Sequence, residues 1–334
     1  MQAVVMTGAG DPSVLQVVEQ DEPQLQQPTD IKVQLHGAGI NPIDTKLRQR
    51  GVFFEDALPA ILGCDGAGEV VEVGDQVQRH QVGDRVWFCH GGLGREPGNY
   101  AEYTVVPETV ARPLPDEIDF TTAAAGPLVL ITAWEALYDR ARLQNGQSVL
   151  VHAGAGGVGH VAIQLAKLVG ARVIATVSDA DKAAFVRELG ADEVINYRET
   201  DVVEAVMALT EGRGVDVAFD TVGPAVFNQS LSAVAHYGQL VTLLDPSKEV
   251  NWGIARQRNL GISFELMLTP MLENLPQARA HQGDILDRCA GYLHSGQLKL
   301  HVSKTLPLAE AMQAHQLIEA GHTRGKIVLQ PGAS

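Results

Sequence analysis

The chain has 334 residues, of which 45% are hydrophobic and 19% charged, the composition of a globular protein long enough for two domains. A formal net charge of −15 repels phosphate backbones, which argues against nucleic acid as a partner. No run approaches the roughly 20 apolar residues a spanning helix needs, so no membrane partner is expected.

Met1 to Met6 reads as a short strand, without the basic flank or cleavage pattern of a signal peptide. Cys64, Cys89 and Cys289 make no paired framework, which suits a reducing compartment, and the cytoplasm is the expected location. Val14–Glu19, Asp30–Gly37, Glu69–Val73 and Tyr100–Val106 are strand-like, with turns at Gly74, Gly83-Asp84 and Pro107. Many short strands with regular turns predict a small β-barrel. Asn41-Pro42 reads as the cap of a short helix, with Asp44 fixing Arg48 or the loop backbone. Cys64 reads as a small buried residue, and Cys89-His90 with Gly91-Gly92 as a turn.

Thr121 to Leu137 is helical and carries Thr132, whose hydroxyl has the ordinary option of bonding back to the preceding turn. The apolar run Ser148–Val151 then leads into G-x-G-x-x-G, formed by Gly154, Gly156 and Gly159. A helical pattern follows as far as Val169, and a second strand runs from Arg172 to Val177. Strand, turn, helix and strand in this order are the context a dinucleotide fingerprint requires. Gly154 allows the tight turn, Gly156 lets backbone N–H groups approach a pyrophosphate, and Gly159 lets the helix pack on the sheet. Gly154, Ala155, Gly156, Gly157, Val158 and Gly159 are therefore candidate cofactor residues at a positively polarised helix end.

The end of the second strand chooses between cofactors. Ser178 leaves room for a 2′-phosphate, and Lys182 has the charge to balance it; Asp179 would instead grip the free ribose hydroxyl of NADH. NADPH is the preferred cofactor. Asp181–Leu189 reads as a helix, Val194–Tyr197 as a third strand, Glu199–Thr210 as a helix and Val215–Asp220 as a fourth strand. Val222 and Gly223 follow that strand, and ligands bind at the carboxyl ends of such strands. Phe227–Val234 is helical, Gly238–Leu244 is a strand, and Ile262–Leu268 alternates like an edge strand. Ala278–Ser295 is a further helix, and Gly325–Leu329 looks like a closing strand of the barrel.

The chain resembles the medium-chain dehydrogenase/reductase superfamily, and within it the quinone oxidoreductase (zeta-crystallin-like) group. The residues that carry this are Gly39-Ile40-Asn41-Pro42-Ile43-Asp44-Thr45, Leu62-Gly63-Cys64-Asp65-Gly66-Ala67-Gly68-Glu69-Val70, Val82-Gly83-Asp84-Arg85-Val86, the Ala153–Gly159 fingerprint and Asp192-Glu193-Val194-Ile195-Asn196-Tyr197. The resemblance implies an α/β protein, with a GroES-like β-barrel catalytic domain at 1–125 and 270–334 and a Rossmann doubly wound parallel-sheet domain at 126–269. It implies that Asn41 and Asp44 face the nicotinamide, with Asn41 a donor to a quinone or enone oxygen. It also implies cofactor contacts for Thr132, Tyr197, Leu243, Leu244 and Leu266, and brings Lys326 near a cofactor phosphate. Lys46 stands where related proteins often have tyrosine; it has the reach for cofactor phosphates or an acidic substrate. The edge strand is expected to pair across a two-fold axis in a homodimer.

Zinc alcohol dehydrogenases of this superfamily carry a cysteine ligand where this chain has Asn41, and Gly-His-Glu where it has Gly63-Cys64-Asp65. A neutral amide does not replace a thiolate, and three ligands cannot be assembled by motif, so no zinc is expected. The expected function is zinc-independent, NADPH-dependent hydride transfer to a quinone or an activated C=C or carbonyl acceptor. The alternatives are a zinc-dependent alcohol dehydrogenase and a non-enzymatic NADPH-binding structural protein.

Overall fold

The computed structural model describes residues 1–54 and 56–332. The chain divides into two compact units, Met1–Leu128 with Thr269–Ser334, and Val129–Leu268.

The first unit is built on the ten-residue strand Asp30–Gly39. It pairs antiparallel with Asp65–Val73, Tyr103–Pro107 and Lys326–Gln330, in a seven-stranded sheet that also holds Arg85–Cys89, Arg112–Pro113 and Val302–Pro307. Alternation along these strands turns Ile31, Val33, Leu35, Val70, Val86, Phe88 and Val106 into one fully buried cluster. Each such side chain contributes about 1.5–3 kcal/mol by leaving water. Leu15–Glu19, Gln2–Met6 and Ala60–Ile61 form a second, three-stranded sheet. Val302–Pro307 runs parallel to Lys326–Gln330 and was not anticipated as a strand, because its Ser303, Lys304 and Thr305 are all exposed and give no alternation. The helix Phe120–Ala124 lies directly on Asp30–Gly39. A Cβ at Gly39 would stand 2.1 Å from the Ala124 carbonyl oxygen, so only glycine permits that approach.

The second unit holds a six-stranded sheet in the order Glu193–Asn196, Arg172–Val177, Ser148–Val151, Val215–Asp220, Val234–Thr242, Gly261–Phe264. Every pairing is parallel. Numbered by position in the chain this is the doubly wound order 3-2-1-4-5-6, with its switch point between Ser148–Val151 and Val215–Asp220. The central strands read as unbroken apolar runs because helices cover both faces, and Val149, Leu150 and Val151 have no exposed surface. The edge strand is shorter than expected: it ends at Phe264, after which Glu265 turns inward to take a hydrogen bond from Arg140 Nε at 2.9 Å. Leu266 thus lies outside the strand. Among the described residues, no helix is long and apolar enough to cross a membrane.

Candidate functional site

In the second unit the fingerprint turn joins Ser148–Val151 to the helix Gly157–Leu168. Its left-handed residue is Ala153, at φ 48°, rather than Gly154. Gly154 is small for another reason: a Cβ there would press on Ala175 Cβ at 3.0 Å and on Ile163 Cδ1 at 3.2 Å. At Gly159 a Cβ would stand 2.3 Å from the Ala153 carbonyl oxygen, so a side chain there would strike the backbone of the turn. Gly156 is the N-cap and supplies no side-chain cap, which leaves the first-turn N–H groups of Gly157, Val158 and Gly159 open to an anion. Ala155 is buried inside the turn.

Past Arg172–Val177, Ser178, Asp179 and Lys182 form one group. Lys182 Nζ donates to Ser178 Oγ at 3.0 Å, and Ser178 Oγ donates to Asp179 Oδ2 at 2.7 Å. Asp179 also caps the helix Ala180–Glu188, accepting from Lys182 N at 2.9 Å. These bonds, the backbone donor foremost, hold the Asp179 carboxyl below its usual range. The carboxylate that would favour NADH is therefore occupied by its own helix, while hydroxyl and ammonium stand together.

The carboxyl ends of the strands open onto a cleft of about 640 Å³, lined by His152, Ala153, Thr176, Tyr197, Arg198 and Val222 among others. Tyr197 and Val222 present about half their surface, at 49% and 48%. Burial lowers His152 to about 4, so its neutral ring exchanges a hydrogen bond with Ser230 Oγ at 2.9 Å. Asp220 shapes the next turn, accepting from Val222 N at 2.8 Å and Gly223 N at 3.0 Å, and from Thr242 Oγ1 at 3.0 Å. Leu243 is tied back to the Asp220 carbonyl, and Leu244 packs toward Gly223. Thr132 is buried on its helix. His152, Thr176, Arg198 and Asp220 were not singled out from the sequence. The position of each at or just past a strand's carboxyl end was the signal that could have found them.

In the first unit the helix Pro42–Arg50 begins with a capping box: Asn41 N donates to Asp44 Oδ2 at 2.8 Å. Asn41 and Asp44 have no exposed surface. The Asn41 amide faces inward, with Nδ2 donating to Asp65 Oδ2 at 2.8 Å and Oδ1 accepting from Lys326 Nζ. This corrects the expectation that Asn41 points at an acceptor oxygen, because both ends of its amide are engaged in the core. Asp44 takes the Tyr100 hydroxyl at 2.9 Å, and Arg48 pairs with Glu319 instead of Asp44. Desolvation pushes Asp44 up to about 7, since few donors reach it.

Lys326 is corrected as well. It is 2% exposed, and its ammonium donates to Ile40 O at 2.7 Å and lies 3.7 Å from Asp65 Oδ2, leaving no approach for a phosphate. Burial lowers its pKa, opposed by Asp65. Lys46 is different: it is half-buried, no ion pair joins it to a carboxylate among the described residues, and burial and the neighbouring Arg50 lower its pKa. Leu266 is 52% exposed, off the edge strand. Among the described residues, no group of three or more His, Cys, Asp or Glu side chains is placed to hold a metal ion.

Two family models match. One, described as an alcohol dehydrogenase GroES-like domain, covers residues 27–116; the other, described as a zinc-binding dehydrogenase, covers residues 189–329. The quinone oxidoreductase of Pseudomonas aeruginosa is 36% identical over 326 residues, covering 96% of this chain and 97% of that protein. The solved structure of Escherichia coli quinone oxidoreductase complexed with NADPH superposes with a TM-score of 0.89 at 33% identity, covering 99% of this chain and 100% of that one. A structure described as an NAD-dependent alcohol dehydrogenase gives a TM-score of 0.90, also at 33% identity, covering 99% and 100%.

Proposed function

The chain belongs to the quinone oxidoreductase group of the medium-chain dehydrogenase/reductase superfamily, and from that premise we propose that it is a zinc-independent, NADPH-dependent oxidoreductase whose acceptor is a quinone or an activated C=C or carbonyl compound. NADPH, when bound, supplies the hydride. The residues present fit it. The open N–H groups of Gly157, Val158 and Gly159 suit a pyrophosphate, and the Ser178 hydroxyl with the Lys182 ammonium suits a 2′-phosphate. Tyr197 and Val222 offer apolar surface to the adenosine half.

The zinc-free reading rests on one observation: the Asn41 amide is held between Lys326 and Asp65. An ammonium already neutralises that carboxylate, so the residues do not fit a zinc ion. Negative charge developing on an acceptor oxygen needs a positioned donor or cation, and Lys46 offers a half-buried ammonium. The zinc alcohol dehydrogenase reading keeps the support of a matching family description and of one solved neighbour.

A homodimer is part of the proposal, supported by the uncovered edge strand Gly261–Phe264 with Phe264 57% exposed. Three free cysteines suit the cytoplasm.

The deciding experiment is NADPH oxidation across a panel of quinones, enones and aldehydes, with and without chelator, beside metal analysis of the purified protein. Turnover of electron-poor acceptors that survives chelation is expected. Activity on alcohols alone, abolished by chelation, would replace this reading with the zinc one. Tight NADPH binding without turnover of any acceptor would leave a structural role.

A further inference from the structure

Arg279, on the helix Pro276–His294, donates from Nη2 to His90 Nδ1 at 3.0 Å, and more weakly to the Cys89 carbonyl at 3.5 Å. A guanidinium carries only donors, so Nδ1 must be the bare, accepting nitrogen of the neutral ring. The ring's single proton therefore sits on Nε2. No described residue accepts that proton, and Nε2 is not among the nitrogens that are both sealed from solvent and unpartnered. His90 is buried but for 7% of its surface, and its one N–H is left for an acceptor from outside the fold.

The backbone that carries the ring is fixed. His90 N donates to the Cys64 carbonyl at 2.7 Å, and the His90 carbonyl accepts from Asn99 Nδ2 at 3.1 Å. The same amide nitrogen donates to the Gly63 and Cys64 carbonyls at 3.1 and 3.0 Å. Gly91 and Gly92 follow in left-handed conformations, and a Cβ at Gly92 would stand 2.8 Å from the Gly63 backbone. Cys89, next to the ring, opposes Asp65 in the strand register. Asn41 and Gly63–Asp65 stand where zinc alcohol dehydrogenases carry ligands, so His90 adjoins the place where that chemistry polarises a substrate oxygen.

A carboxylate behind a histidine makes the ring a base, and a guanidinium does the reverse. It draws charge from the ring, strengthens the remaining N–H as a donor and disfavours a second proton. Burial and the Arg279 charge lower His90 to about 3, so the ring is neutral over the ordinary pH range. A neutral imidazole with one fixed N–H polarises an oxygen without giving up its proton.

We propose that His90 Nε2–H is the donor that holds the acceptor's oxygen as hydride arrives, and that Arg279 is the positioning residue that keeps the proton on that nitrogen. The role rests on the oxidoreductase function proposed for the chain, and it fills the place from which the Asn41 amide is withdrawn. The acceptor carbon gains a hydride from NADPH, and the π electrons of the C=O or conjugated C=C–C=O group shift to oxygen. That oxyanion takes one proton from solvent. The acceptor has then gained two electrons and two hydrogens, and His90 keeps its own proton throughout.

The first test is nitrogen-15 NMR of the full chain, labelled at histidine, without cofactor or acceptor. His90 should hold the neutral Nε2–H form from pH 8 to pH 5, and Arg279→Met should spread the proton over both nitrogens. An Nδ1–H form, or an imidazolium at pH 5, in the wild type overturns the proposal whatever the enzyme turns over. The second test titrates p-nitrophenolate, a stable aryl oxyanion, into the NADP+ complex and follows its absorbance. His90→Ala should weaken its binding about 10- to 100-fold. Stopped-flow reduction of 1,4-naphthoquinone by NADPH should lose about 100- to 1,000-fold in kcat in His90→Ala, with the quinone KM nearly unchanged. His90→Gln, whose amide both accepts from Arg279 and donates, should recover part of that rate. Phenolate binding and kcat unchanged in His90→Ala overturn the proposal and leave the oxidoreductase function standing. A wild type that reduces no acceptor defeats that function and this role with it, while the state of the ring stays as the NMR finds it. If His90→Ala does not fold, the wild-type spectrum and His90→Gln decide.

Discussion

The Lys326 ammonium donates to the Asn41 side-chain oxygen across 285 positions of sequence. That bond ties the closing strand of the barrel to the cap of the helix Pro42–Arg50, and Asp65 completes a buried cation–amide–carboxylate group. Removing one member of a buried charge pair costs about 3–5 kcal/mol, because the other is left uncompensated. Lys326→Met should lower the stability to urea by an amount of that order. Adding Asp65→Asn should restore part of it, since the orphaned charge is then gone. A double variant no more stable than Lys326→Met would mean that the carboxylate is not the source of the cost.

The proposed choice of NADPH involves a different ammonium. Lys182 and Ser178 form the group assigned to the 2′-phosphate, and a charge-assisted hydrogen bond contributes about 1.5–3 kcal/mol. Lys182→Ala should therefore raise the Kd for NADPH by about 10- to 100-fold and leave NADH binding nearly unchanged, as read by fluorescence titration. Equal losses for both cofactors would take Lys182 out of 2′-phosphate recognition.

These two groups were unequally legible in the sequence. Ser178 and Lys182 lie at a fixed offset from a local strand–turn–helix pattern, and short-range geometry carries that information. The Asn41 group does not work this way. Its partners come from positions 24 and 285 residues distant, and lysine and aspartate read as surface residues unless a partner is known. The same holds for Arg48, whose ion-pair partner Glu319 is 271 positions away. The parallel sheet was legible because both faces are covered and its strands are continuously apolar. Val302–Pro307 was not, because it lies at the outer edge and shows no alternation.

The fingerprint glycines separate stability from binding. At Gly159 a Cβ would stand 2.3 Å from a backbone oxygen, which cannot swing away. Gly159→Ala should lower stability by about 1–3 kcal/mol and abolish NADPH binding. Gly156 has an ordinary φ of −77°, and its Cβ would meet nothing nearer than Ala153 O at 3.2 Å. Gly156→Ala should fold with near-wild-type Tm yet weaken NADPH at least tenfold, because the methyl stands at the open end of the helix. Unchanged NADPH affinity in Gly156→Ala would show that the pyrophosphate does not sit there.

If the edge strand Gly261–Phe264 pairs with a second copy, Phe264 lies in that interface. Phe264→Lys should convert a dimer to a monomer in light scattering while thermal stability of the cofactor-binding unit is kept. A dimer that survives the substitution would move the interface elsewhere.

Asp44 gives the fold a pH dependence of definite sign. Its carboxyl is pushed from an ordinary 3.8 to about 7, chiefly by desolvation, against the help of Asn41 N, the Tyr100 hydroxyl and Lys326, and with Asp65 adding to the rise. His315, across Tyr100, is lowered to about 3 and stays neutral in the folded state throughout this range. Between these two pH values the folded chain holds the Asp44 proton while the unfolded chain has released it, so unfolding releases a proton and rising pH favours the unfolded state. The stability tied to the neutral acid is complete below pH 3.8 and is lost as the pH passes through about 7, for a total of at most about 4 kcal/mol. Asp44→Asn keeps an oxygen acceptor for Asn41 N and Tyr100 but cannot titrate. Urea denaturation at pH 5 and pH 8 should show the wild type losing stability relative to Asp44→Asn at the higher pH. Contributions from His315 and the other titrating groups cancel in that comparison. Parallel pH profiles for the two proteins would mean that Asp44 is ionised in the folded state across the whole range, and that the Tyr100 and Asn41 donors outweigh its burial.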